Sequence, residues 1–336
     1  MERPLALVVG IEGLELTIRE ARLLQRRSPL GIILFARNIA DPGQVRRLTA
    51  DLRDCLGRDD APILIDQEGG RVARLRPPLW RAYPPQRRVG EIAERDAEAG
   101  VRVAGLLARR IAADLAALGI DWVCAPVLDL LRPETHRVIG DRSYGADPEL
   151  VARLGEAAIE GFLEGGVVPI VKHLPGHGRA TVDSHLELPN VVASRAELEA
   201  SDFVPFVRLA DAPAALSAHV RYVALDASQP FSTSAIAVQS VVREAIGFDG
   251  LLFSDDLDMQ ALSGSVGDRV AAVLDAGHDV ALQCSGRFGD LQTALTAATG
   301  LTAAAEERLA RARTRAGSAR VVDVSRLDAD LAAFGV

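Results

Sequence analysis

At 336 residues, 49% hydrophobic and 25% charged, the chain has the composition of a globular protein that buries one large core or two modest ones, which excludes disorder as its main state. A formal net charge of -8 disfavours a nucleic-acid partner, because binding a phosphate backbone needs Lys and Arg clustered on an outward face. The three cysteines, Cys55, Cys124 and Cys284, are odd in number and far apart with no C-x-x-C pair, so free thiols in a reducing compartment are expected rather than disulfides.

The N-terminal run MERPLALVVGIEGLEL is interrupted by Gly10, Glu12 and Gly13 and reads as a buried strand rather than a secretory segment. No stretch reaches the roughly 18 apolar residues that a membrane span requires. A soluble cytoplasmic protein with no membrane partner is the expectation. Short runs rich in Val, Ile and Leu then recur in order: LALVVG, GIILFAR, APILID, DWVCAPVLD, VVPIVKH, AALSAHV, GLLFSDD and DVALQC. Helical spacing separates them, most clearly in DPELVARLGEAAIEGFLEGG, with Asp147 as N-cap, Pro148 at the first helical position and Gly165 and Gly166 as the stop. Comparable patterns lie at 43–56, 94–118, 194–210, 234–246, 265–276 and 290–299.

Apolar runs without polar alternation indicate strands covered on both faces, hence a parallel sheet with helices outside. About eight strand–helix units predict an α/β fold with a single (β/α)8 barrel over residues 1–317, and residues 318–336 as a C-terminal appendage packed on it. No G-x-G-x-x-G follows the first strand and no G-x-x-x-x-G-K-[ST] occurs, which disfavours a nucleotide-binding open sheet. Active sites of barrels sit where strands end. Here those ends carry Arg37 and Asn38, then Asp66, Gln67 and Glu68, Asp129, Lys172 and His173, His219, and finally Asp255 and Asp256.

The stretch KHLPGHGRATVDSHLELP, 172–189, holds three of the six histidines. His173, His177, Asp183 and His185 are all metal-ligand types, but Pro175, Gly176 and Gly178 break any helix that would place two histidines at i and i+4. Asp183 and His185, two apart in extended backbone, point to the same side, so the carboxylate can hold one imidazole nitrogen and make the ring a proton donor and acceptor. The spacing alone leaves an idle surface pair equally open. In FSDDLDM, 253–259, one of the adjacent Asp255 and Asp256 faces the rim as a candidate nucleophile while the other pairs sideways or caps the next segment. DQEGGRVARL, 66–75, combines a strand-end carboxylate, two glycines and two arginines, which suits a polyhydroxylated ligand. Arg142 in GDRSYGADP, taken alone, is equally consistent with a surface salt bridge.

Taken in order, LFARN, DQEGGRVARL, APVLDL, GDRSYGADP, KHLPGHGRATVDSH, SAHVRY and GFDGLLFSDDLDM give the chain a resemblance, from about residue 31 to 284, to the β-N-acetylhexosaminidase branch of glycoside hydrolase family 3, the bacterial cell-wall-recycling type. The resemblance implies a barrel that works by a retaining double displacement with no cofactor and no metal. It assigns Asp255 as nucleophile, His185 as acid/base and Asp183 as its partner, where retaining glycosidases generally use two carboxylates. It further implies that Asp66, Arg74, Arg142, Lys172 and His173 hold the sugar, that His177 shapes the loop, and that the partner is a small sugar or muropeptide taken by a monomer or weak homo-oligomer. Two positions depart from the family pattern: Gly10 stands where an Asp often precedes the hydrophobic-Glu-Gly triplet, and Leu174 replaces a common Phe. A phosphorylase using phosphate as acceptor, a metal-dependent hydrolase built on the histidines, and a catalytically silent sugar-binding protein are the alternative functions.

Overall fold

The computed structural model describes residues 3–317 and 322–336. Eight strands close into a parallel barrel: β1 (Leu5–Gly10), β2 (Pro29–Leu34), β3 (Ile63–Ile65), β4 (Trp122–Val123), β5 (Val168–Leu174), β6 (Ala214–Ser217), β7 (Leu251–Asp256) and β8 (Val280–Gln283). Each pairs with its neighbours in chain order, and β1 closes on β8 through Leu7↔Ala281, Val8↔Leu282 and Val9↔Gln283. Every residue of β2 and β5 is buried, as continuous apolar runs between a filled interior and an outer helical ring require. Trp122 and Phe253, on strands that are not neighbours, meet edge to face inside with ring centroids 6.0 Å apart.

The expected barrel is therefore the fold, with local differences that have physical causes. The helix expected at 43–56 forms over Pro42–Leu56, capped by Asp41, whose side chain accepts from the Gln44 amide. The pattern at 94–118 is a helix over Ala97–Ala116 preceded by a separate one over Gln86–Ala93, the break falling where Asp96 caps the longer helix. The pattern at 194–210 divides into Arg195–Glu199 and Val204–Arg208, because Asp202 between them turns inward to bind Arg132 and Arg179. Strand β4 is shorter than DWVCAPVLD suggests; Pro126 has no amide to donate, and beyond it only Val127 pairs, with Lys172. An additional helix, Ile18–Arg27, carries a readable signal in Thr17-x-x-Glu20: each side chain accepts the other's backbone amide, at 3.3 and 2.9 Å.

The boundary expected between barrel and appendage falls at 318–321, outside the described residues. Beyond it, a helix over Val324–Ala332 lies against Ala97–Ala116 and is fixed by Asp328, which accepts from Arg81 at 2.6 Å and from Arg110 at 2.9 Å.

Gly10, at the end of β1, has a steric explanation in this chain. A Cβ there would stand 2.5 Å from the Cys284 carbonyl oxygen and 2.8 Å from Nη2 of Arg37. The Arg37 guanidinium fills the space a side chain would take and donates to the carbonyls of Ile11 and Cys284, tying β1 to the segment after β8. Gly10→Ala is accordingly expected to lower stability by about 1–3 kcal/mol, the usual cost of overpacking a filled site, measured as a shift in the urea midpoint. An unchanged midpoint would show that Arg37 moves aside freely.

Candidate active site

At the ends of the strands lies a cavity of about 260 Å³ lined by Asp66, Glu68, Arg74, Arg142, Lys172, His173, His177, Ser184, His185, Asp255 and Asp256, among others. That volume is below the roughly 300–1,000 Å³ of pockets for drug-sized ligands and suits a single sugar ring more than a chain.

One wall is built by the segment after β3. Gly69 and Gly70 turn the chain at φ of 100° and 55°, conformations that side chains with a Cβ rarely adopt, so residues 67–69 fold back on 72–73. The Gln67 side chain fixes the turn by accepting from the amides of Arg74 and Leu75 at 2.8 and 3.0 Å. Arg74 is thereby brought to Asp66, donating from Nη2 at 2.9 Å. Lys172 at the end of β5 donates to the other Asp66 oxygen at 3.0 Å and forms an ion pair with Glu68 at 2.6 Å. Glu68 also receives two bonds from Arg142, both 2.8 Å, in a bidentate pair.

These groups are charged although buried. Burial alone would raise Asp66 and Glu68, but Lys172 with Arg74 holds Asp66 far below the usual carboxylate range, and Arg142 with Lys172 holds Glu68 at about 2. Burial likewise opposes the charges on Lys172 and Arg142, and the same carboxylates raise both above their ordinary values. The result is a floor of opposed charges whose remaining lone pairs and N–H groups face the cavity.

His173 is fixed on both sides. Its Nδ1 lies 2.6 Å from Asp129 Oδ2 and its Nε2 lies 3.2 Å from Nη2 of Arg142. Because Arg can only donate, Nε2 faces it as acceptor and Nδ1 faces Asp129 as donor. Asp129, fully buried, also accepts the amides of His173 and His177 at 3.2 and 2.6 Å; burial raises it, but the two histidines and these bonds hold it at about 2. His177 is buried and neutral, its pKa pushed down to about 4 by burial, and its Nε2 lies 2.9 Å from the Ser184 hydroxyl.

Asp255 and Asp256 both border the cavity but take different partners. Asp255 takes its own neighbour's amide at 2.8 Å; burial would raise its pKa, but His173, His219 and that amide bring it below the ordinary value. Asp256 turns sideways to accept the amides of Asp258 and Cys284 at 3.0 and 3.1 Å, and burial beside Asp258 pushes its pKa up to about 8. Behind them the buried His219 donates from Nε2 to the Asp256 carbonyl at 3.2 Å, leaving Nδ1 to accept from Ser232 at 2.6 Å.

The last pair is on the loop after β5. Asp183 accepts the His185 amide at 2.9 Å and its Nδ1 at 2.8 Å, and those bonds outweigh partial burial to keep the carboxylate below its ordinary pKa. The His185 side chain is 59% exposed, far more than those of Asp66, Glu68, Arg74, Arg142, Lys172 and His173. Its Nε2 has no hydrogen-bond partner among the described residues.

The structure thus gathers His185, Asp255, Asp66, Arg74, Arg142, Lys172 and His173 around one cavity, with Asp183 behind His185. Arg142 is no surface residue; it is buried against Glu68. The four metal-ligand residues of 172–189 do not converge as ligands, since His173 and His177 are turned to Asp129 and Ser184, and among the described residues no group of three or more His, Cys, Asp or Glu is arranged to hold an ion. Sequence reasoning placed Glu68 and Asp129 at strand ends without giving them work; only their charge at that position could have suggested it.

Barrel and mouth together define a (β/α)8 protein with a charge-balanced, sugar-sized cavity at its C-terminal face. Residues 11–322 match the N-terminal domain of glycosyl hydrolase family 3, and the chain belongs to that family. It is 42% identical over 282 residues to a beta-hexosaminidase of Chromobacterium violaceum, covering 83% of this chain and 78% of the relative. A beta-hexosaminidase of Pseudomonas aeruginosa is 39% identical over 316 residues, 92% of this chain and 90% of its own. The crystal structure of NagZ from Neisseria gonorrhoeae in complex with N-trifluoroacetyl-D-glucosamine superposes with a TM-score of 0.88 at 32% identity, covering 99% of this chain and 98% of that one.

The depressed carboxylates set an acid limit to stability. Glu68 and Asp129 have folded pKa values of about 2, below their unfolded ones, so their contribution is complete above the unfolded carboxylate range and is lost as pH falls towards 2. Urea denaturation from pH 7 to 2 should show stability falling mainly below about pH 4.5. Glu68→Gln should lower stability at neutral pH and flatten that decline; a variant with the wild-type slope would show that Glu68 is not ionised in the folded protein.

Proposed function

We propose that this chain is a retaining β-N-acetylhexosaminidase that removes terminal, non-reducing β-linked N-acetylglucosamine. The observation that carries the reading is the convergence of the Asp255 carboxylate from β7 and the His185 imidazole from the loop after β5 on one cavity. The lowered pKa of Asp255 keeps it anionic for attack on the anomeric carbon, forming a glycosyl-enzyme as the C1–O bond breaks. His185, doubly protonated and paired with Asp183, gives its Nε2 proton to the leaving oxygen. It then takes a proton from the water that releases the sugar and restores Asp255.

Asp66, Arg74, Arg142, Lys172 and His173 are assigned to the sugar itself. Asp66, Arg74, Arg142 and Lys172 border the cavity with positions fixed by charged partners, while His173, both of whose ring nitrogens are engaged by Asp129 and Arg142, would meet the sugar through its ring. The N-acetyl sugar is supported by the bound glucosamine derivative of the Neisseria structure and by the names of the relatives. Muropeptide fragments of peptidoglycan recycling, in the cytoplasm, are the substrate and setting we favour. The three free cysteines suit a reducing compartment, and no helix among the described residues is long and apolar enough to cross a membrane.

The test is hydrolysis of an aryl β-N-acetylglucosaminide. His185→Ala should lose at least about 10²-fold in turnover and Asp255→Asn more, both with unchanged circular dichroism. Wild-type rates in both variants would sink the assignment. Product analysis with and without phosphate adds a second readout: free N-acetylglucosamine in both buffers is expected, and its 1-phosphate would mark a phosphorylase.

A further inference from the structure

The loop that carries Asp183 and His185 is held unevenly along its length. Its first part is fastened to neighbouring loops. Tyr222 donates to the Gly176 carbonyl at 2.8 Å, Thr135 to that of Gly178 at 2.7 Å, and the His136 amide to that of Ala180 at 3.0 Å. Arg179 is bound at 2.7 Å to Asp202, a 1% exposed carboxylate that Arg132 also holds at 2.9 Å. Beyond Ala180 the burial changes. From Thr181 to Leu188 only Ser184 is buried, while Thr181, His185, Leu186 and Glu187 are exposed.

Ser184 lies between the two members of the dyad and has one side-chain attachment, the 2.9 Å contact of its hydroxyl with Nε2 of His177. His177 is itself immobilised: its ring is buried and its amide is bound to Asp129. Its Nδ1 is buried without a partner. A lone pair left bare there costs less than an N–H group would, so the proton sits on Nε2 and is donated to Ser184 Oγ. The other attachments are backbone bonds from the loop after the nucleophile strand. The amides of Ala261 and Gln260 reach the carbonyls of Ser184 and His185 at 3.3 and 3.2 Å, both at the long end of the range.

We propose that Ser184 is a positioning residue for acid catalysis, its hydroxyl, held by His177, fixing the turn of Asp183 and His185 at the cavity edge facing Asp255. The inference rests on the reading of His185 as acid/base. Without the hydroxyl the turn, internally held by the Leu186 and Glu187 amides on the Asp183 carbonyl, keeps only the two long backbone bonds to the loop after β7, and the imidazole samples positions from which Nε2 no longer reaches the leaving oxygen. A misplaced acid matters most when the departing group needs the proton.

The experiment compares kcat/KM of wild type, Ser184→Ala, Ser184→Thr and His185→Ala on two aryl β-N-acetylglucosaminides. The dinitrophenyl leaving group departs without a proton, whereas the phenyl one requires it. Ser184→Ala should lose at least about tenfold more on the phenyl substrate than on the dinitrophenyl one, and Ser184→Thr, which keeps a hydroxyl, should recover most of that difference. Equal losses on both substrates, or none, would overturn the proposal and leave Ser184 a sugar contact or a folding residue. His185→Ala separates the two levels: a selective loss there with none in Ser184→Ala refutes the positioning role alone. A His185→Ala variant with no leaving-group preference refutes the acid/base reading and the proposal with it.

Discussion

Glu68 sits with its side chain 1% exposed at the mouth of the barrel, hydrogen-bonded by Arg142 and ion-paired with Lys172. Neither cation could remain charged there alone, because removing an ammonium or guanidinium from water costs several kcal/mol that only a well-placed carboxylate offsets. Asp66 repeats the arrangement with Lys172 and Arg74. The wall is therefore one network, and its geometry follows from charge neutralisation as much as from packing. Removing Glu68 would leave the buried Arg142 guanidinium without a carboxylate, and removing any other member would strip a partner from at least one charge of the network, so the cavity shape depends on that constraint.

The two proposed chemical groups are supported in opposite ways. Asp255 grows from a buried strand, and His219 pins the next residue's carbonyl from behind. His185 sits on an exposed turn with Asp183 as its orienting partner. Rigidity suits a nucleophile that must be ionised and aimed at a fixed carbon. Exposure suits an acid/base that must meet both a leaving group and the incoming water, and it keeps solvent near a ring that changes charge in every cycle.

Much of this was legible before the structure. The apolar runs are the eight strands, in order, and the polar residues at their ends do share one face. Adjacency also anticipated that Asp255 and Asp256 would take different partners, although both border the cavity. Harder cases came from contacts between distant segments. Arg142, taken alone, was equally consistent with a surface salt bridge, because its partner Glu68 is 74 positions away. The break in 194–210 could not be read from periodicity, because it exists to turn Asp202 towards two arginines on other loops.

The amino-acid sequence by itself determined the barrel and its polar rim, because hydrophobic periodicity and strand-end chemistry are local properties of the chain. It also determined the Asp183–His185 pair, whose members are two residues apart and need nothing distant to meet. Only the tertiary structure decided which charges are buried, which carboxylate neutralises which cation, and which histidines are neutral. Those outcomes depend on distances between side chains from different strands and on how far each is removed from water, and neither quantity is a property of any single segment.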